Sequence, residues 1–346
     1  MKKIISLMFV FCLAFLVLGC QNVKKTAVVN QEPVKIIIYT SMYEEIITTV
    51  RSNLQRQFPG WHIEFVYGGT GLIQQRITAE KQSGRLGCDI LMVADPSYSM
   101  ELKEAGMLHS FRYRDAANLA FDYDPQGYWY PVRVSNMVLA YNPSRSSRNS
   151  IPNSFFNFAD DTRMAGTISM RNPLVSGTTM VTIAVLLEKY GNGYFDALGW
   201  QKPMIDYGAE ETIRKLESGE SSVAMILEES ILRIRQENNS RLEIIYPTDG
   251  VVVIPSTVMI VNDRWNANRN AAAAETIAAW FLSMEGQNAI VDGWMHSVRK
   301  DVTQLPHGSV PIEQILTNSI PVNWENVFNQ RQDIQKRFEE SILARR

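Results

Sequence analysis

From Val34 onward the chain alternates short, apolar, β-branched runs with amphipathic stretches of helical period, and the junctions are rich in Gly, Ser, Thr and Pro. Val34 to Tyr39 reads as a buried strand. Glu44 to Phe58 reads as a helix stopped by Pro59-Gly60, Ile63 to Tyr67 as a second strand, and Leu72 to Gln82 as the next helix. Asp89 to Val93 and Ser97 to Glu104 repeat the pair, with Gly106 ending the helix. Strands separated by helices pair in parallel, and apolar runs of this length are buried on both faces. The order β-α-β-α-β-α therefore predicts an α/β fold with a mostly parallel sheet flanked by helices.

A second set of elements opens near Arg133. Met137 to Tyr141 predicts a strand, Phe155 to Ala159 a short helical piece, and Thr167 to Met170 a strand leading through Arg171 into Ser176-Gly177-Thr178-Thr179. Helices are expected at Met180 to Lys189 and Ala209 to Glu217, with a strand at Val223 to Leu227. Val251 to Ile254 and Thr257 to Val261 read as two strands adjoining across Pro255-Ser256, followed by helices at Ala271 to Leu282 and Gly286 to Gly293. A chain of 346 residues suggests two domains or one bilobed one. Its 45% hydrophobic and 20% charged content excludes a disordered or collagen-like chain, and a net charge of -2 gives no reason to expect nucleic acid as a partner.

The first residues read as a leader. Lys2-Lys3, the apolar run from Ile4 to Leu18 and small Gly19 have the layout of a secretory signal over 1–19. Val17-Leu18-Gly19-Cys20 resembles the lipobox of bacterial lipoproteins, which would make Cys20 a lipidated N-terminus; residues 20–33 read as a polar tether. Of the 3 cysteines only Cys88 then remains, so the exported domain is expected to hold together by packing rather than by a disulfide.

Three strand-to-helix junctions carry small or hydroxyl residues: Thr40-Ser41, Gly69-Thr70-Gly71 and Ser176-Gly177-Thr178. A helix start leaves backbone N–H groups unpaired and attracts anions, and small residues let an oxyanion reach them. Any one of the three is equally an ordinary helix cap. Together they predict an oxyanion held between two lobes, with Arg133 within reach or bracing the hinge. Glu228 and Glu229 follow a strand at its carboxyl end and either choose among ligands or begin a helix. No G-x-S-x-G elbow, Walker A sequence or zinc spacing among the 4 His is present, which argues against an enzyme.

Several segments together resemble the periplasmic substrate-binding proteins of ABC importers, in the group that takes ferric ion, phosphonates, sugar phosphates, polyamines or thiamine. They are Val34 to Ser41, Asp89 to Asp95 with Leu102 to Leu108, Ser176-Gly177-Thr178, Asp249-Gly250 with Pro255-Ser256, Trp280 to Gln287, and Val298 to Val302. The resemblance implies a two-lobed periplasmic-binding-protein fold hinged on crossover strands. Residues 34–135 with 255–295 would form one lobe, and 136–254 with 296–346 the other. It also implies a monomer tethered to the membrane, facing the periplasm or cell surface, that hands a small anion to a permease without a cofactor. In an alternative ferric reading, Tyr43, Tyr207 and Glu228 would hold iron.

Overall fold

The computed structural model describes residues 33–345. The leader, Cys20 and nearly all of the tether lie outside the described residues.

The first half opens with β1 (Lys35–Thr40), α1 (Glu44–Gln57), β2 (His62–Tyr67), α2 (Thr70–Gln82), β3 (Ile90–Val93), α3 (Pro96–Glu104) and the short β4 (Leu108–His109). A long β5 (Trp129–Tyr141) leads into α4 (Phe155–Asp160), β6 (Ile168–Arg171), α5 (Gly177–Tyr190), α6 (Gly193–Trp200), β7 (Met204–Asp206) and α7 (Ala209–Ser218). β8 (Val223–Leu227), α8 (Glu228–Asn238), β9 (Glu243–Ile245) and β10 (Val252–Val261) follow. The chain closes with α9 (Ala271–Leu282), α10 (Met284–Asp292), α11 (Ile312–Thr317) and α12 (Trp324–Ser341).

All ten strands belong to one sheet, in the order β2-β1-β3-β10-β5-β8-β6-β7, with β4 on β10 and β9 on β5. Pairing is parallel at both ends, as expected of strands linked through helices, and antiparallel where β10 and β5 join them. Two lobes result, each with its own apolar packing. Ile36, Ile38, Met92 and Val258 meet Ile46 and Phe281 in one. Leu139, Met170 and Met225 meet Val181, Phe195 and Phe338 in the other. Each such side chain taken fully out of water contributes about 1.5–3 kcal/mol.

β5 and β10 pair from Met137↔Val252 to Trp129↔Met259 and so run through both lobes. Their ladder is weakest in the middle. Pro131 and Pro255 have no amide to donate, the register slips between Ser256 and Thr257, and the Val134 amide turns instead to the His296 carbonyl at 3.0 Å. The sequence pattern predicts a strand only from Met137 and a break at Pro255-Ser256. The structure extends the first back to Trp129 and carries the second straight through the proline. Three helices that the pattern does not signal are also present, α6, α11 and α12, and α8 begins at Glu228, one of the two readings open for that acid.

α12 spans the two lobes. Its Val327, Ile334 and Phe338 pack into the second core, while Arg331 reaches the first lobe. There Arg331 donates to Asp95 Oδ2 at 2.7 Å, Ser97 Oγ at 2.6 Å and Glu101 Oε2 at 3.0 Å.

Candidate functional site

Parallel strands deliver their following turns to the same edge of a sheet, so the loops after β1, β2 and β3 face those after β6 and β8 across a cleft. From the first lobe, Ser41, Tyr43, Tyr67, Gly69, Thr70 and Ala94 line one small cavity there. Arg133 rises from the hinge strand β5. The second lobe supplies Arg171, Ser176, Gly177, Thr178, Leu227 and Glu229. The cavity holds about 20 Å³, room for roughly one water.

The cap residues of four helices line this cavity: Tyr43 of α1, Gly69 of α2, Ser176 of α5 and Leu227 of α8. α5 has Ser176 as its cap, whose Oγ accepts from the Thr179 amide at 3.3 Å and the Thr179 hydroxyl at 2.9 Å. Gly69 occupies the cap position of α2 and offers no side-chain acceptor. Neither α2 nor α5 has an acidic residue in its first turn to offset the partial positive charge of its N-terminus, whereas α1 opens with Glu44 and Glu45 and α8 with Glu228 and Glu229.

Two buried guanidiniums add full charges. Arg133 is 3% exposed and donates through Nη2 to Ser41 Oγ at 3.1 Å and through Nη1 to Ser135 Oγ at 3.3 Å. Arg171, 7% exposed at the end of β6, donates to Tyr43 Oη and to the Tyr207 carbonyl, both at 3.2 Å. In each the Nε–H has no hydrogen-bond partner. Burial pulls the Arg133 pKa below the ordinary arginine value, though Glu229 opposes this. Burial likewise raises the Tyr67 phenol, which keeps its proton and remains a donor.

One acid shares the cavity. Glu229 is 2% exposed and accepts from Ser135 Oγ at 2.8 Å. Burial pushes its carboxyl up to about 7, and the attraction of Arg133 and the Ser135 hydrogen bond only partly reverse that.

Glycine sets how closely the lobes meet. The Gly71 amide donates to the Val175 carbonyl across the cleft at 3.2 Å. A Cβ on Gly71 would lie 2.1 Å from the Leu174 oxygen, one on Gly69 2.3 Å from the Val175 oxygen, and one on Gly177 2.6 Å from Thr70 Cβ.

Of the residues singled out in the sequence, Ser41, Gly69, Thr70, Arg133, Ser176, Gly177, Thr178 and Glu229 all line this cavity. Thr40 does not; it is fully buried and its Oγ1 accepts from the Met42 amide at 3.0 Å. Gly71 lies at the contact between lobes. Glu228 points elsewhere: Asn136 Nδ2 at 2.7 Å, Ser309 Oγ at 2.6 Å and the Tyr246 hydroxyl donate to it, and His296 Nε2 lies 3.2 Å away. Burial alone would raise the Glu228 pKa, but His296 and these hydroxyls outweigh it and hold the carboxyl below its ordinary value. Of the three residues named for ferric ion, only Tyr43 lines the cavity; Tyr207 is 65% exposed. Among the described residues, no cluster of three or more His, Cys, Asp and Glu suits a metal. Arg171 was not anticipated, although it stands at the carboxyl end of a predicted strand, the same position that singled out the other turns.

A larger open groove of about 730 Å³ lies elsewhere, lined by Arg145, Glu210, Arg214 and Arg241 among others. Those four charges are exposed to solvent, where they hold a ligand weakly.

No helix among the described residues is long and apolar enough to cross a membrane. No curated protein sequence matches the chain. Solved structures do resemble it. The fructose-6-phosphate-bound periplasmic binding protein AfuA from Actinobacillus pleuropneumoniae superposes with a TM-score of 0.77 at 20% identity, over 89% of this chain and 98% of that one. Iron-bound HitA from Pseudomonas aeruginosa gives 0.75 at 18% identity, over 88% and 99%. The substrate-binding protein of an ABC transporter from Agrobacterium tumefaciens gives 0.72 at 17%, over 88% and 95%. These likenesses establish a two-lobed periplasmic-binding-protein fold. The sequence model for bacterial extracellular solute-binding proteins matches residues 88–308, and it is to that family that the chain belongs.

Proposed function

We propose that this protein is the solute receptor of an ABC importer and captures a small oxyanion-bearing ligand, a phosphonate or a sugar phosphate, between its lobes for delivery to a membrane permease. The observation that carries this reading is the pair Arg133 and Arg171. Both are buried, both line one cavity with the N-termini of α2 and α5, and each keeps an Nε–H without a partner. Two guanidiniums face the single carboxylate of Glu229, so an anion in the cavity would offset the remaining buried positive charge while filling the vacant donors. Ser41, Thr70, Ser176 and Thr178 add hydroxyls, and Gly69 and Gly177 open the backbone amides. A space for one water is too small for a phosphoryl group, so the lobes part at the Pro131/Pro255 break to admit it. Contacts made by the ligand to both sides then favour closure.

Ferric ion is the second reading, because Tyr43 and Tyr67 share the cavity with ring centroids 6.3 Å apart. Two guanidiniums beside them oppose a trivalent cation unless it arrives with an anion of its own. Calorimetry on the purified domain with fructose 6-phosphate, methylphosphonate and ferric citrate separates the two. The expected outcome is micromolar or tighter binding of a phosphorus oxyanion that Arg171→Ala weakens by about 10²-fold or more. A visible phenolate-to-iron band with no affinity for phosphorus oxyanions would overturn it. An Arg171→Ala variant of unchanged affinity would remove the site.

A further inference from the structure

Ser256 is fully buried, and its Oγ has no hydrogen-bond partner. A hydroxyl withdrawn from water and left unpaired costs stability, so it is either a flaw in the packing or a group kept for something else. Its place in the sheet argues for the second. On one side of β10, Ser256 pairs with Arg133 of β5; on the other, Thr257 pairs with Val93 of β3, which sets Ser256 beside Ala94. Arg133 and Ala94 both line the candidate cavity. Residues directly opposite in an antiparallel ladder share a face, so the Ser256 hydroxyl leaves the sheet on the side from which Arg133 reaches Ser41. The register slips immediately after Ser256, and a slip of this kind re-aims the side chains next to it. The neighbouring Thr257 hydroxyl is already taken up by Ser99 Oγ at 2.6 Å. Arg133 leaves the same edge open. Ser135 Oγ and Met295 Sδ accept from its Nη1 and Ser41 Oγ from its Nη2, whereas the Nε–H, closest of the three to the strand, has no acceptor.

We propose that Ser256 is a ligand-binding residue, the floor of the site, whose hydroxyl donates to an oxygen of the bound phosphorus oxyanion beside the Arg133 Nε–H. The inference rests on the anion reading above. The cavity of about 20 Å³ stops short of Ser256, and lobes parted far enough to admit a phosphoryl group uncover it. One tetrahedral group then accepts from Arg133 and Ser256 at the hinge and from Arg171 and the helix amides around it. Two unpaired atoms on facing residues of the ladder are filled by a single ligand, which offsets what their burial costs. The unliganded protein bears that cost, so the site weakens the fold that carries it.

A hydroxyl kept for a ligand and one kept for the fold respond to removal with opposite signs. Ser256→Ala deletes the hydroxyl alone. In calorimetry with methylphosphonate and fructose 6-phosphate, whichever compound the native chain binds should be held at least about 10-fold more weakly by this variant. Thermal melts of the unliganded variant should meanwhile rise by about 1–3 °C, because a buried polar atom without a partner has gone. Ser99→Ala is the contrast. It leaves Thr257 Oγ1 without its partner, so it should lower the melt and keep affinity within about twofold. Unchanged affinity in Ser256→Ala, or a melt lowered as in Ser99→Ala, would overturn the proposal while the anion site stands. A native chain that binds neither phosphorus compound would instead remove the anion reading, and this inference with it.

Discussion

Gly71→Ala should weaken ligand binding without weakening the fold. Gly71 lies in the first turn of α2, and its backbone angle is one that any residue adopts. Within its own lobe alanine is therefore the better helix former, by about 0.5–1 kcal/mol. The conflict arises only across the cleft. The added Cβ would sit 2.1 Å from the Leu174 oxygen and 2.9 Å from its carbonyl carbon, where real Cβ contacts are essentially never under 3.0 Å. Both neighbours are backbone, so the second lobe must withdraw by about 1 Å, which also breaks the Gly71 N–H to Val175 bond. Overpacking of this kind costs about 1–3 kcal/mol. That penalty falls on the closed arrangement alone and appears as a Kd raised about 5- to 150-fold. Calorimetry with the tightest phosphorus ligand, alongside thermal melts of the unliganded domain, reads both effects. Gly193→Ala is the control, since a Cβ there meets nothing within 4 Å and should change neither quantity. Native affinity in Gly71→Ala would show that closure does not depend on this contact. A large loss of thermal stability without ligand would show that Gly71 serves the fold instead.

Arg331 ties the α12 helix to Asp95, Ser97 and Glu101 of the other lobe, so Arg331→Ala should speed ligand release about 5- to 30-fold and leave association unchanged; stopped-flow rates that do not move would refute the latch. Glu228 titrates below its ordinary value of 4.5, so the stability it contributes is present above that value and is lost as pH falls through the lower folded one. Melts should accordingly show Glu228→Gln less stable than the native chain by about 1–3 kcal/mol at pH 7, with the gap narrowing as the pH falls below 4.5. A gap that persists into acid would mean that packing rather than charge is at stake.

The β-α alternation of the first half is easily read in the sequence, because buried parallel strands are continuous apolar runs and their helices are strongly amphipathic. The start of β5 is hidden for the opposite reason. Arg133, Ser135 and Asn136 interrupt the apolar pattern, yet all three are buried, because they serve the cavity or the Glu228 cluster rather than the core. α8 begins with two acids that look solvated in sequence but are buried at the hinge. α12 has few apolar residues along 18 positions, so its packing face is narrow, and Arg331 and Arg337 add contacts to Glu101 in one lobe and Asn192 in the other. The turns of the cavity were visible from glycine and hydroxyl spacing. Which acid turned inward was not, since Glu228 and Glu229 differ only by the rotation of one residue at the start of a helix. Arg171 escaped notice because nothing local distinguishes an arginine that ends a strand at a cleft from one that ends it in solvent.

The route of β10 sets the schedule on which this polypeptide can fold during synthesis. Val258 pairs with Met92 and Val252 with Met137, so the segment that joins the two parallel halves is among the last of the sheet to leave the ribosome. Until it arrives, β3 and β5 have open edges and the first 250 residues lack the strand between them. Such long-range closure makes for slow acquisition of structure, measured against chains dominated by local contacts. The nascent protein consequently spends most of its translation incomplete, a condition in which chaperones and translocation machinery can still act upon it.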